Sequence, residues 1–238
     1  MSRGTQNLIL LLVGLSTAVM LVKGTYLNYV KPGLLPWLIA AAVVLVALGS
    51  AAIIRDLRTA HAEDEEHEQG HGHRHEPWLG WLLLVPIAMV AFVVPPALGA
   101  RGTSPAAVST PQRRAFPPLP SGDAPTVSLP EVVMRAAADS TNSLAGRSIT
   151  LTGFTLHRPD GVDLGRVVIV CCAADAQLAR VHLSGPGAAA VAGHPEDTWL
   201  RIRGQIDIGS SHAADGFIPT MTVTDVASID KPANTYAY

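Results

Sequence analysis

Apolar positions along the chain follow two different rhythms. Before residue 100 they form long unbroken runs, and after residue 145 they recur at every second position over short stretches. A run of about 20 apolar residues is what a helix needs to cross a bilayer. Leu8 to Val22, with Thr5 to Asn7 in front of it, reaches that length. A signal peptide is the rival reading of this run, but Lys23-Gly-Thr-Tyr26 follows where small cleavage-site residues belong. Leu34 to Ile54 contains no charge, with Trp37 near one end and Arg55 and Arg58 beyond the other as interfacial anchors. Trp78 to Leu98 is the third run, interrupted by Pro86 and ended by Pro95-Pro96. Three transmembrane helices are therefore expected within residues 1–100.

The second rhythm predicts a small β domain entered through a helix. Ser128-Leu-Pro-Glu131 has the form of a capping box. Leu129, Val132, Val133, Ala136 and Ala137 then make a one-sided apolar stripe, which suits a short helix packed on the domain or a mere linker helix. Ile149 and Leu151 share one face of a strand while Phe154 and Leu156 have the opposite parity, so a β-bulge is expected at Gly153. Pro159-Asp-Gly161 supplies a turn. Val167 to Ala176 reads as a buried strand, and Val181 and Leu183 alternate on the next. Leu200, Ile202, Ile206 and Ile208 share one face of a fourth strand, and Ile218 to Val226 is the last. Five short strands predict an all-β domain, a Greek-key barrel of the OB type, with a small open sandwich as the alternative.

Charge separates the two halves further. Gly102 to Pro130 is rich in Pro, Ala, Ser and Thr and reads as an extended stalk. The expected division is thus a membrane domain, residues 1–100, with a histidine-rich loop at 55–77, a linker at 101–127 and a β domain at 128–238. Basic residues flanking the three runs are almost evenly split between the two sides, so they do not orient the chain; the stalk favours an external β domain at the plasma membrane. From Leu129 to Tyr238 eight Lys/Arg stand against eleven Asp/Glu, a balance of −3, which argues against a nucleic-acid surface. Gly-rich phosphate loops, Gly-x-Ser-x-Gly elbows and His-Glu-x-x-His helices are missing, so nothing points to an enzyme.

Two segments carry chemistry. Five of the nine histidines lie between His61 and His75. Of these His71, His73 and His75 alternate around Gly72, so their imidazoles have the freedom to converge on one transition-metal ion, while the acidic surroundings equally fit a solvated loop. The only two cysteines, Cys171 and Cys172, are adjacent. On a strand they point to opposite faces, which makes one a core residue and the two poor joint ligands. The outward Cys172 is then expected to meet Asp175 and His182 across a hairpin, a mixed set suited to zinc or a similar ion. His157, His194 and His212 fall at turns and strand ends and are expected to be solvated.

Four segments together resemble a family of bacterial membrane proteins, the YcgQ-like subunits of a two-component permease. They are Tyr26-Leu-Asn-Tyr-Val-Lys-Pro32, the histidine-rich loop, Pro95-Pro-Ala-Leu-Gly-Ala100 and Cys171-Cys-Ala-Ala-Asp-Ala176. The resemblance implies an accessory subunit of a larger membrane permease similar to arsenite transporters, with the C-terminal domain outside the cytoplasm. It carries Cys171, Cys172 and Asp175 over as motif members only, and no catalytic residue. The expected function is to bind or gate a metal or metalloid ion for that partner. A membrane-anchored thiol redox protein using Cys171 and Cys172 is the alternative.

Overall fold

The computed structural model describes residues 3–63, 97–99, 104–105 and 111–238. It divides into two compact units, Met1–Pro96 and Ala97–Tyr238. The expected third transmembrane run, Trp78 to Leu98, lies outside the described residues except for Ala97 and Leu98, and so do the histidines His71, His73 and His75.

The first unit is helical. Helix α1 spans Arg3–Val22 and α2 spans Leu35–Glu63. Gly24, at φ 70°, adopts the left-handed conformation that ends a helix. Two 3-10 turns, Thr25–Asn28 and Pro32–Leu34, then carry the chain into α2. The helices pack closely because their contact is lined by glycine: a Cβ on Gly49 would lie 2.8 Å from the Leu11 amide nitrogen, and one on Gly14 would lie 2.9 Å from the Leu45 Cβ. Small residues permit such an approach between apolar helices. Asn7 Nδ2 donates to Asp56 Oδ2 at 2.8 Å, tying the start of α1 to the far part of α2. Val43, Leu48 and Ile54 on α2 and Leu15 on α1 are exposed.

The membrane expectation is met in part. Pro32–Asp56 is one helix long and apolar enough to cross a bilayer, compatible with a membrane anchor or a signal sequence. Gln6–Val22 is a shorter apolar helix. Among the described residues there is thus one candidate span where the sequence predicts three, and a multi-pass arrangement is not shown.

The second unit is built on a mixed sheet. Its strands are β1 (Ser104–Pro105), β2 (Ser148–Arg158), β3 (Gly161–Val168), β4 (Gln177–Ser184), β5 (Trp199–Ile206) and β6 (Thr220–Ser228), in the order β1-β4-β3-β2-β5-β6. Helix α3 (Leu129–Ala138) precedes β2, and α4 (Pro186–Ala192) lies between β4 and β5. The long neighbours pair antiparallel. In addition, His182–Ser184 of β4 pairs in parallel with Thr220–Thr222 of β6. That contact covers three residues of each strand, so the domain is a five-stranded mixed sheet with a short sixth segment and not a clear barrel.

Two apolar clusters explain the parity change in β2. Ile149 and Leu151 enter a cluster with Leu164, Val181, Leu200, Ile202 and Val223. Phe154 and Leu156 enter a second, with Val167, Ile169, Trp199 and Tyr236. Both faces of the strand are buried, so no bulge is needed at Gly153, and its pairings with β5 and β3 run without a shift. Gly153 instead allows close approach: a Cβ there would lie 2.5 Å from the Gly165 carbonyl oxygen. The irregularity sits between Arg203 and Gly204 against β6. Ile208 lies past the end of β5 and is half exposed, so the expected stripe stops at Ile206.

The capping box is not formed. Ser128 is the N-cap residue but makes no side-chain cap bond, and Glu131 pairs instead with Arg135 one turn on, at 2.7 Å. Residues 111–127, expected to be a stalk, lie against the domain. Arg114 exchanges backbone bonds with Ala138 and Ser140, and Thr150 N donates to the Pro125 carbonyl while Val127 N donates to the Thr150 carbonyl. The Arg135 guanidinium donates to the Pro117 carbonyl and covers the Phe116 ring at 5.1 Å.

Candidate metal centre

The cysteine segment is a loop, not a strand. β3 ends at Val168, and the Tyr236–Ala237 segment takes over as its neighbour: Ile169 N donates to Ala237 O at 3.1 Å and Ala237 N to Val167 O at 2.9 Å. After the buried Ile169 the chain turns outward, leaving Val170 70% exposed. A 3-10 turn, Ala173–Asp175, then returns it to β4.

Asp175 organises the turn. Its Oδ1 accepts from Val170 N at 2.8 Å, and its Oδ2 from Cys171 N at 2.8 Å and Cys172 N at 3.3 Å. Three successive amides aimed at one carboxylate hold the segment in a tight arc, which a strand with alternating amides cannot do. The Cys171 thiol donates to the same Oδ2 at 2.8 Å. The two sulfurs are 3.7 Å apart, both free thiols.

Cys171, Cys172 and Asp175 thus present ligand atoms all within 4.8 Å of one another. This corrects the expectation that the cysteines face opposite ways, because the arc removes the strand alternation on which it rested. Cys171, assigned to the core on that basis, is exposed and is the residue nearest to Asp175. The signal for it in the sequence is the aspartate four positions on, within reach of the preceding amides once the chain turns.

Electrostatics follow from the hydrogen bonds. The thiol bond from Cys171 is the main cause that brings Asp175 down to about 2, helped by the Val170 and Cys171 amides. The same carboxylate, together with the Cys172 sulfur, pushes the Cys171 thiol up to about 11. A negative charge beside a thiol disfavours thiolate. A cation at the site reverses that balance.

His182 does not join the centre. It lies on β4 directly opposite Asp163 of β3, and its Nδ1 is 2.7 Å from Asp163 Oδ1. Asp163 is fully buried and also holds Arg158 Nε at 2.7 Å, with Arg180 Nη1 3.8 Å from its other oxygen. His157 Nε2 meets the His194 carbonyl at 2.9 Å.

Residues 131–238, which include every part of this centre, match the DUF1980 C-terminal domain, and residues 5–101 match the DUF1980 N-terminal domain. The chain carries both DUF1980 domains. No curated protein and no solved structure matches it. Within the DUF1980 C-terminal domain, the loop between β3 and β4 is the one place among the described residues where three side chains able to hold a metal ion converge.

Proposed function

We propose that the protein is a membrane subunit whose C-terminal domain captures a soft or borderline metal or metalloid ion at Cys171, Cys172 and Asp175, and passes it to or gates it for a larger permease. The observation that carries this reading is the clustering of two thiols and one carboxylate within 4.8 Å. A tetrahedral ion holding two thiolates at about 2.3 Å separates the sulfurs by roughly 3.8 Å. The two sulfurs lie 3.7 Å apart already. Binding replaces the proton between Cys171 and Asp175 and releases the proton of Cys172, so affinity rises with pH.

Three protein ligands leave one coordination position open, which suits an exchangeable ion better than a closed structural site. The exposed loop gives an incoming ligand access to that position. The transport role rests on the resemblance to YcgQ-like permease subunits. Multi-pass insertion with the C-terminal domain outside the cytoplasm belongs to the same proposal, supported by the apolar Pro32–Asp56 helix and its glycine-lined packing against α1. An OB-like description of the domain is supported by the strand order, the parallel β4–β6 contact and the position of α4 between β4 and β5.

The redox alternative fits less well. A thiol near 11 holds little thiolate at neutral pH, and thiolate is the species that attacks a disulfide. Cobalt(II) titration of the reduced full chain tests the metal reading. We expect an intense thiolate-to-cobalt charge-transfer band that is lost in both Cys171→Ser and Cys172→Ser and survives in His182→Ala. An absent band, or one unchanged in the cysteine variants, rejects the centre.

A further inference from the structure

Helix α3 carries more apolar surface than the core uses. Leu129 and Val132 are buried in the sheet's main cluster. A second stripe, Pro130, Val133, Met134 and Ala137, follows the same i, i+3, i+4, i+7 spacing and lines a cavity of about 640 Å³. Met134 is 49% exposed there. Phe217 and Ile218, from the loop before β6, line it as well. Phe217 has φ 59°, a left-handed conformation that a bulky residue rarely adopts.

Most of the polar lining comes from β4. Arg180 and His182 line the cavity together with Arg158, and Cys171, Cys172 and Asp175 do not. All three basic side chains converge on the buried Asp163. They are not equally occupied by it. Arg158 is bound to both Asp160 and Asp163, at 2.9 and 2.7 Å. Arg180 stands 3.8 Å from Asp163 Oδ2, beyond hydrogen-bond distance, and that buried oxygen has no hydrogen-bond partner among the described residues. His182 spends Nδ1 on Asp163, which leaves Nε2 for a ligand. Among the described residues Asp215 is the one carboxylate on the lining, and it is exposed.

We infer that this cavity is a second ligand site, one that takes an organic monoanion with an apolar body. Its head group meets Arg180 and His182, and its body lies between the outer stripe of α3 and Phe217. The volume falls in the range of small-molecule pockets, and an apolar lining with a few convergent polar groups is their usual make-up. Asp163 acts through the bases: it orients the His182 ring and draws the arginines to one wall. The site does not depend on the thiol centre.

The test is equilibrium dialysis of labelled decanoate against the full chain in nanodiscs of neutral phosphatidylcholine, with empty discs subtracted and decanol as the uncharged control. We expect one saturable equivalent of decanoate and none of decanol. Arg180→Gln should weaken decanoate about ten-fold or more, the size of a lost charge-assisted hydrogen bond. Met134→Glu, at an exposed position that does not threaten folding, should abolish it, and Cys171→Ser should leave it unchanged. Absence of a saturable component, equal retention of decanol, or unaltered affinity in Met134→Glu would overturn the assignment.

Discussion

Replacing Asp175 by asparagine removes the negative charge beside Cys171 and leaves an amide oxygen to accept from the loop amides. In the native protein that carboxylate is the main reason the Cys171 thiol is pushed up to about 11 from an ordinary 9.0. At pH 8 this corresponds to roughly a hundred-fold difference in thiolate population between the native and the relaxed thiol. A thiolate of lower pKa is also a weaker nucleophile, and with a Brønsted slope of about 0.4–0.5 that effect offsets close to half of the gain on a logarithmic scale. Iodoacetamide should therefore alkylate Cys171 faster in Asp175→Asn than in the native chain, by up to about ten-fold, since the Cys172 sulfur still raises the thiol there. The assay is site-resolved mass spectrometry on reduced, metal-free protein, with Cys172 as the internal comparison. Equal Cys171 rates in the two proteins would refute the coupling between thiol and carboxylate.

Three further outcomes follow from other parts of the fold. Asp139 is buried; burial alone would push its carboxyl up, but bonds from the amides and hydroxyls of Ser143 and Thr141 outweigh this and hold it well below the usual carboxylate range. A depressed folded-state value gives stability that is present above the unfolded value of about 3.8 and lost as pH falls below it. Asp139→Asn should accordingly cost about 2 kcal/mol at pH 7 and flatten the acid limb of the stability profile, read by urea denaturation across pH. Gly153→Ala places a methyl 2.5 Å from the Gly165 carbonyl oxygen, and should destabilise the sheet by about 1–3 kcal/mol in the same assay. Gly49→Val forces α2 away from the Leu11 backbone, which should lower the thermal transition of the helical signal in detergent, whereas Val43→Leu on the exposed face should not.

What the sequence makes legible here is what depends on composition and period. Leu34 to Ile54 is apolar enough to declare its helix without any partner, and Leu200, Ile202 and Ile206 declare a strand face by alternation. Features set by a distant residue are harder to read. Val-Val-Ile-Val before the cysteines has the look of a buried strand, yet the strand stops because Asp175 draws the amides of Val170, Cys171 and Cys172 onto one carboxylate. Two members of the proposed metal set, Cys172 and Asp175, are legible in the sequence; Cys171 is hidden by the expectation of a strand. The partner of His182 is hidden from the sequence because it depends on strand register, which pairs it with Asp163. Both parities of β2 are used because Tyr236, far along the chain, covers its second face.

Metal binding at the β3–β4 loop is the central proposal, and its most direct measurement is elemental analysis of the purified full chain, with His71, His73 and His75 changed to alanine to remove the other candidate ligands. It should carry about one equivalent of zinc or a softer ion after loading and desalting, and Cys172→Ser in the same background should carry none. The same metal content in both proteins, or no metal in either, would contradict the metal centre and with it the proposed function.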